Sequence, residues 1–190
     1  MRKDASGKMH FKLVFVGPSL AGKTTLLKRL HTDVTGIKKG GLNSIEDPSG
    51  RTIYFDFSPF MATSSVILDI YTVAGQRRHR HQRSLVLKGV DGLLFVADSS
   101  RAMLADNVES AEELKRELGD KIGGEIPIVI SLNKRDAPDA MPKRELVDAM
   151  DLGTNIPVYE TIAIEGIGVK RCFQSLAREV LLKKLYAVEQ

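Results

Sequence analysis

A single cysteine, Cys172, stands in this chain of 190 residues, so no internal disulfide can form. A reducing compartment is the simplest setting for such a sequence. No apolar run approaches the roughly 18 residues that a membrane span needs. The opening MRKDASGKMH has charge but no apolar core, so it does not read as a signal peptide. Residues 1–9 are instead expected to form a flexible basic lead. Neither end carries a lipid-anchor motif, because residue 2 is Arg and the closing YAVEQ has no cysteine. Internal repeats and low-complexity tracts are also missing. These absences are expected of a cytoplasmic chain.

What is present is ordinary for a folded domain: 43% apolar and 27% charged residues, with a formal charge of +4. That length supports one core, so residues 1–190 are read as a single domain. Short apolar runs alternate with segments of helical period, the pattern of an α/β fold with a mostly parallel sheet. The strand candidates are FKLVFVG, TIYFDF, SSVILDIY, GLLFVAD, IPIVISLN and IPVYET. GKTTLLKRL, DNVESAEELKRELGDKI, PKRELVDAM and GVKRCFQSLAREVLLKKLYAV read as helices. The last carries apolar residues at 169, 173, 176, 177, 180 and 181, a stripe that should pack on the sheet.

GPSLAGKTT, from Gly17 to Thr25, fits the phosphate-loop pattern G-x-x-x-x-G-K-[ST] and lies between a strand and a helix, as the motif requires. Gly17 and Gly22 let the backbone curl, so that the N–H groups around Ser19, Leu20 and Ala21 can face phosphate oxygens. The following helix adds its positive end. Lys23 supplies a charge for the β and γ oxygens, Thr24 a hydroxyl for magnesium, and Thr25 a donor to the α-phosphate.

NKRD, from Asn133 to Asp136, ends an apolar strand at the edge where parallel sheets bind ligands. The Asp136 carboxylate can accept from guanine N1–H and its exocyclic amine. Adenine has neither donor on that edge and would leave the carboxylate unpaired. The Lys134 stem can lie along the base, and Asn133 can bind the base or brace the phosphate loop. In ETIAIEG, Ala163 could offer an N–H to the guanine oxygen, or simply end a strand.

One acid is lacking where phosphate chemistry usually has it. DIYTVAGQRRHRHQR breaks from a strand at Ala74-Gly75-Gln76, and the place of a carboxylate that holds magnesium through water is taken by Thr72. Asp69 lies three residues away, and an odd offset in a strand turns it to the other face. Asp98, closing LLFVADSS, is a rival carboxylate, though a turn or helix cap is its plainer role.

With these motifs in view the chain resembles a Ras-like small GTPase along almost its whole length. More narrowly it is similar to the MglA family of bacterial and archaeal small GTPases, through GRTIYFDF, YTVAGQ and VLKGVDGLLFVADSS. That family also has threonine in the aspartate's place; Ala74, where it usually has proline, and the arginines after Gln76 depart from its pattern. The resemblance implies a P-loop NTPase, a Ras-like G domain with a mostly parallel six-stranded sheet and about five helices. It implies GTP or GDP bound with Mg2+, and slow GTP hydrolysis that a partner would stimulate. Gly75 would contact the nucleotide and Gln76 would orient the attacking water. Arg51 resembles an arginine finger supplied by the chain itself, with Arg77 and Arg78 as competitors. Magnesium would rest on Thr24, Thr52 and the phosphates. The implied partners are a dimeric roadblock-fold regulator, MglB-like, and effectors that read the nucleotide-dependent loops.

RRHRHQR, from Arg77 to Arg83, holds four arginines and two histidines in a stretch expected to be loop. Without interleaved aromatics it lacks a stacking platform for single strands, so stable nucleic-acid binding is not expected. His79 and His81 read as solvated and not as metal ligands. Three functions therefore compete: a hydrolysing switch, a GTP-dependent scaffold that barely hydrolyses, and a nucleic-acid-associated GTPase.

Overall fold

The computed structural model describes residues 2–33, 40–41, 57–73 and 80–186. Its framework is a sheet in the order β3-β4-β2-β5-β6-β7, with β1 added beside β2. The strands are β1 (Arg2–Lys3), β2 (Met9–Val16), β3 (Phe57–Thr63), β4 (Val66–Thr72), β5 (Gly92–Asp98), β6 (Ile128–Asn133) and β7 (Val158–Glu160). The helices are α1 (Lys23–Asp33), α2 (Arg80–Leu87), α3 (Leu104–Leu118), α4 (Lys143–Met150) and α5 (Val169–Tyr186). Strands β4, β2, β5, β6 and β7 run parallel, and β3 is the antiparallel edge.

Alternation along the strands divides the core into two layers. Phe11, Leu13 and Phe15 of β2 face one way, where they meet Leu26, Leu27 and Leu30 of α1 and Val169, Phe173, Leu176 and Val180 of α5. Val14 and Val16 face the other way, toward Leu87 of α2, Ala111 and Leu114 of α3, and Leu146 and Met150 of α4. The stripe expected on the last helix is thus the face that α5 buries. Gly92 opens β5 because α5 passes so close that a Cβ there would lie 2.3 Å from Val180 Cγ2.

Two expectations need correction, and a third lies largely outside the described residues: of TIYFDF, expected as a strand, only Phe57 is described, and it opens the edge strand Phe57–Thr63. Pro59 disguised it; an edge strand tolerates a proline because one of its sides needs no ladder donor. That side meets Gly40, whose N–H donates to Pro59 O at 2.9 Å while its carbonyl lies 2.9 Å from His31 Nε2 of α1. The basic run is not all loop either, since Arg80–Leu87 form α2.

The other correction concerns the N-terminal lead. Arg2 and Lys3 pair antiparallel with His10 and Met9, the first residues of β2. Asp4 closes the intervening turn, accepting from Ser6 N, Ser6 Oγ and Lys8 N at 2.8, 2.8 and 3.0 Å. Beyond the turn, Asp69 of β4, 4% exposed, lies 2.8 Å from His10 Nδ1 and accepts from Arg2 at 3.3 Å. The lead is thereby tied to the sheet by backbone pairing, hydrogen bonds and the Arg2–Asp69 ion pair.

The Ser6 hydroxyl, with smaller help from Lys8 N–H and His10, holds the Asp4 carboxyl down at about 2 against the opposing effect of burial. A depressed folded-state value means that the ionised form supports the turn, with full effect above the ordinary value of 3.8. That support is lost as pH falls from there through about 2. The amide proton shifts of Ser6 and Lys8 should move together across this window and stay flat in Asp4→Asn.

Candidate functional site

The carboxyl ends of β2, β5 and β6 open on the same edge of the sheet, the place where parallel α/β sheets bind ligands. From β2 the chain enters Gly17–Gly22 and then α1. Gly17 has φ +132°, and a Cβ there would sit 2.1 Å from Val96 O. Gly22 has φ +101°, and its Cβ would fall 2.2 Å from Asn133 Nδ2. Both glycines are therefore required by conformation and by space. Leu20 takes φ 62° without being glycine and leaves its side chain half exposed, so the loop carries strain at its tip.

Lys23 is buried to 7% exposure, and its ammonium donates to the carbonyls of Gly17 and Pro18, at 2.9 Å for the first. A cation is thus held inside the curl of the loop. The first turn of α1 has no acidic residue, so the positive end of the helix is not neutralised from within. Thr24 and Thr25 follow in that turn, both half buried. Loop, ammonium and helix end form a concave surface of one sign, suited to a polyphosphate.

Asn133 joins this loop to the neighbouring strand. Its Nδ2 donates to Ala21 O at 2.8 Å, while its Oδ1 accepts from Ala163 N at 2.9 Å and from Thr161 Oγ1 at 3.2 Å. Of the two roles open to Asn133, the side chain performs the bracing one. The Ala163 N–H, expected to face a guanine oxygen, donates to Asn133 instead, because a buried carboxamide oxygen needs donors. Thr161 was missed by sequence reasoning. It is fully buried and also lies 2.8 Å from Ser131 Oγ, and only its place in ETIAIEG hinted at it. Asp136 stays exposed, and among the described residues no internal partner takes its carboxylate.

The acids near the phosphate loop are already engaged. Thr72 is fully buried in register with Phe15, while Asp69 is held by His10 and Arg2. Asp98, 2% exposed, accepts from Ser100 N and Ser100 Oγ at 3.0 and 2.8 Å through one oxygen. Its other oxygen lies 2.6 Å from Lys134 Nζ. The turn role is therefore present, with an ion pair that the sequence did not reveal. A magnesium ion here would find the Thr24 hydroxyl and phosphate oxygens, and no free carboxylate among these residues. That donor set fits a hard cation bridging phosphates rather than one caged by protein.

Arg51, Thr52, Gly75, Gln76, Arg77, Arg78 and His79, and the His81 side chain, lie outside the described residues. Of the basic run, Arg83 is well buried and pairs with Glu113 of α3 at 2.5 Å, so it is not a freely solvated charge. Among the described residues no cluster of His, Cys, Asp and Glu could hold a metal, and no helix is long and apolar enough to cross a membrane.

Comparison with known proteins agrees with this geometry. The family model of the ADP-ribosylation factor family matches residues 1–180. The chain is 38% identical to the mutual gliding-motility protein MglA of Myxococcus xanthus (strain DK1622), over 95% of this chain and 96% of that protein. It is 28% identical to ADP-ribosylation factor-like protein 6 of Caenorhabditis elegans, over 92% and 88% of the two chains. The Arl6 BBS3 small GTPase of Trypanosoma brucei, solved with the nucleotide analogue GppNp, superposes with a TM-score of 0.72 over 92% of this chain and 99% of that one. At 20% identity that match speaks for the fold.

The Asn133 bridge gives a direct test. Asn133→Ala leaves Ala21 O, Ala163 N–H and the Thr161 hydroxyl short of partners, and should cost about 2–3 kcal/mol. Chemical denaturation of the nucleotide-free chain is the measurement, with Asp136→Ala, at an exposed position, expected to be nearly neutral for stability.

Proposed function

Because the chain belongs to the ADP-ribosylation factor family of small GTPases, on its MglA-like side, we propose that it is a slow GTP hydrolase whose partners read the bound nucleotide. The observation that carries this reading is the Asn133 bridge. It holds the phosphate loop and the NKRD turn as one unit, with the exposed Asp136 carboxylate beside it. In this reading Asp136 accepts the two guanine donors and so selects GTP and GDP over adenine nucleotides. Lys23, the loop amides and the end of α1 hold the phosphates, and Thr25 donates to the α-phosphate.

Phosphoryl transfer needs an aligned water and positive charge on the developing oxygens, with little covalent work from the protein. Gln76 is assigned the water, Gly75 an amide toward the γ-phosphate, and Arg51 the transition-state charge. Arg77 and Arg78 are the competitors of Arg51. Magnesium, held by Thr24 and Thr52 together with phosphate oxygens, supplies charge neutralisation when bound. Thr72 can hydrogen-bond a water of that ion, but contributes no formal charge. The ion is therefore held less firmly than beside an aspartate.

The same reading gives the chain a dimeric roadblock-fold regulator and effectors that recognise the GTP-ordered loops. It also gives a role in polarity or motility, with recruitment to a cell pole or membrane by those partners. The absent carboxylate supports one competing reading, a GTP-dependent scaffold with little hydrolysis. Single-turnover phosphate release separates the two. Arg51→Ala should slow it by about a thousandfold, the usual worth of an arginine finger, and Gln76→Leu should also slow it. Rates equal to wild type in both variants would leave the scaffold. A second measurement addresses the ion: Thr72→Asp should lower the magnesium concentration needed to retain nucleotide. Unchanged magnesium dependence would refute the proposed weak hold.

A further inference from the structure

We propose that Asp98 is a positioning residue for purine recognition: its buried carboxylate fixes the Lys134 ammonium and so sets the lysine stem as one wall of the base pocket. This rests on the guanine reading of NKRD and deepens it.

Asp98 and Asn133 end adjacent parallel strands and are paired in register, so Lys134 begins one residue beyond the sheet edge. Lys134 has φ 60°, a left-handed conformation that a side chain with a Cβ adopts only when its surroundings demand it. The demand is visible. Its Nζ lies 2.6 Å from Asp98 Oδ2, with Asp98 nearly sealed and Lys134 about two-fifths exposed. The ammonium is therefore tethered at the inner end while part of the stem stays open to the outside. A tethered stem presents its methylenes as a fixed apolar strip, whereas a free lysine would lose rotamer entropy each time a base arrived.

Asp98 is itself over-determined, as a positioning group should be. Ser100 N–H and hydroxyl occupy its other oxygen. Its backbone is clamped by Asn107 of α3, fully buried, which accepts from Asp98 N–H at 3.0 Å and donates to Asp98 O at 2.8 Å. A carboxylate so committed is not offered to a metal. This placement excludes the Walker B role that its strand-end position would suggest, and reassigns the charge from phosphate chemistry to the base.

The test uses the full chain loaded with fluorescent GDP or GTP and follows release into excess unlabelled nucleotide, with magnesium and with EDTA. Asp98→Asn and Lys134→Met should each speed release by about tenfold or more, the worth of one hydrogen bond to a charged group. The factor should be the same for both nucleotides and in both buffers, because neither side chain touches phosphate or ion. The double variant should be no worse than the worse single one, since both changes break one contact. Additive losses, or a loss confined to GTP or to magnesium buffer, overturn the proposal. Should Asp98→Asn fail to fold, release from Lys134→Met decides alone: wild-type release in that variant, which keeps the stem and removes the charge, also overturns it. Wild type that holds GDP no better than ADP sinks the guanine reading and this inference together. A wild-type preference for GDP with additive variants sinks only the inference.

Discussion

The Asn133 carboxamide is the contact on which the site depends. Two loops that come from strands on either side of β5 have no reason of their own to keep a fixed distance. One side chain gives a proton to Ala21 O and takes protons from Ala163 N–H and Thr161 Oγ, so the phosphate loop, the end of β6 and the segment after β7 share a single polar node. The node is 3% exposed, where water does not compete and an unmade bond is costly. Glycine at 22 is the other half of the same constraint, because any larger residue would occupy the space of the Asn133 amide.

Around that node the sheet sorts charges by parity. Asp69 lies on the α2–α3 side of β4, at the middle of the strand, where His10 and Arg2 hold it. Thr72 falls on the opposite parity, with Leu68 and Ile70, whose side chains join the layer under α1 and α5. No small slide of β4 could exchange them, because a one-residue shift would turn the whole apolar set of the strand to the wrong face. The missing carboxylate is therefore not replaced from within the same strand, and Asp98, the acid at the end of β5, is already committed to Ser100 and Lys134.

Much of this was legible in the sequence, for identifiable reasons. The phosphate loop is short and local, so its glycines, lysine and threonines announce their backbone directly. The stripe on α5 has a period that survives any tertiary context, and the faces it implied are the faces found. The described edge strand, Phe57–Thr63, was not read past Phe57 because Pro59 reads as a breaker until one knows that its strand lies at the edge of the sheet. Part of the basic run proved helical, since Arg83, Val86 and Leu87 pack toward α3 and the core, a contact that composition cannot display. The Asp98–Lys134 pair and the Thr161 bond were invisible for a related reason: each joins residues about thirty or more positions apart, and nothing in local spacing encodes such a partner. Thr161 bonds Asn133 across 28 positions, and Asp98 meets Lys134 across a strand crossover.

The balance of charge at the mouth follows from these placements. Lys23 and the end of α1 supply positive potential, and the buried acids Asp69 and Asp98 are each matched by a cation of their own, Arg2 and Lys134. A carboxylate beside a polyphosphate has two opposing effects: it binds the metal that bridges the phosphates, and it repels the phosphates themselves. Removing it weakens the first and relieves the second. In the proposed function such a chain would lean on main-chain amides and lysine for nucleotide affinity and ask less of the ion. Asp136 remains the exposed acid of the NKRD turn, and in the proposed reading the task left to it is the choice between bases, not the phosphates.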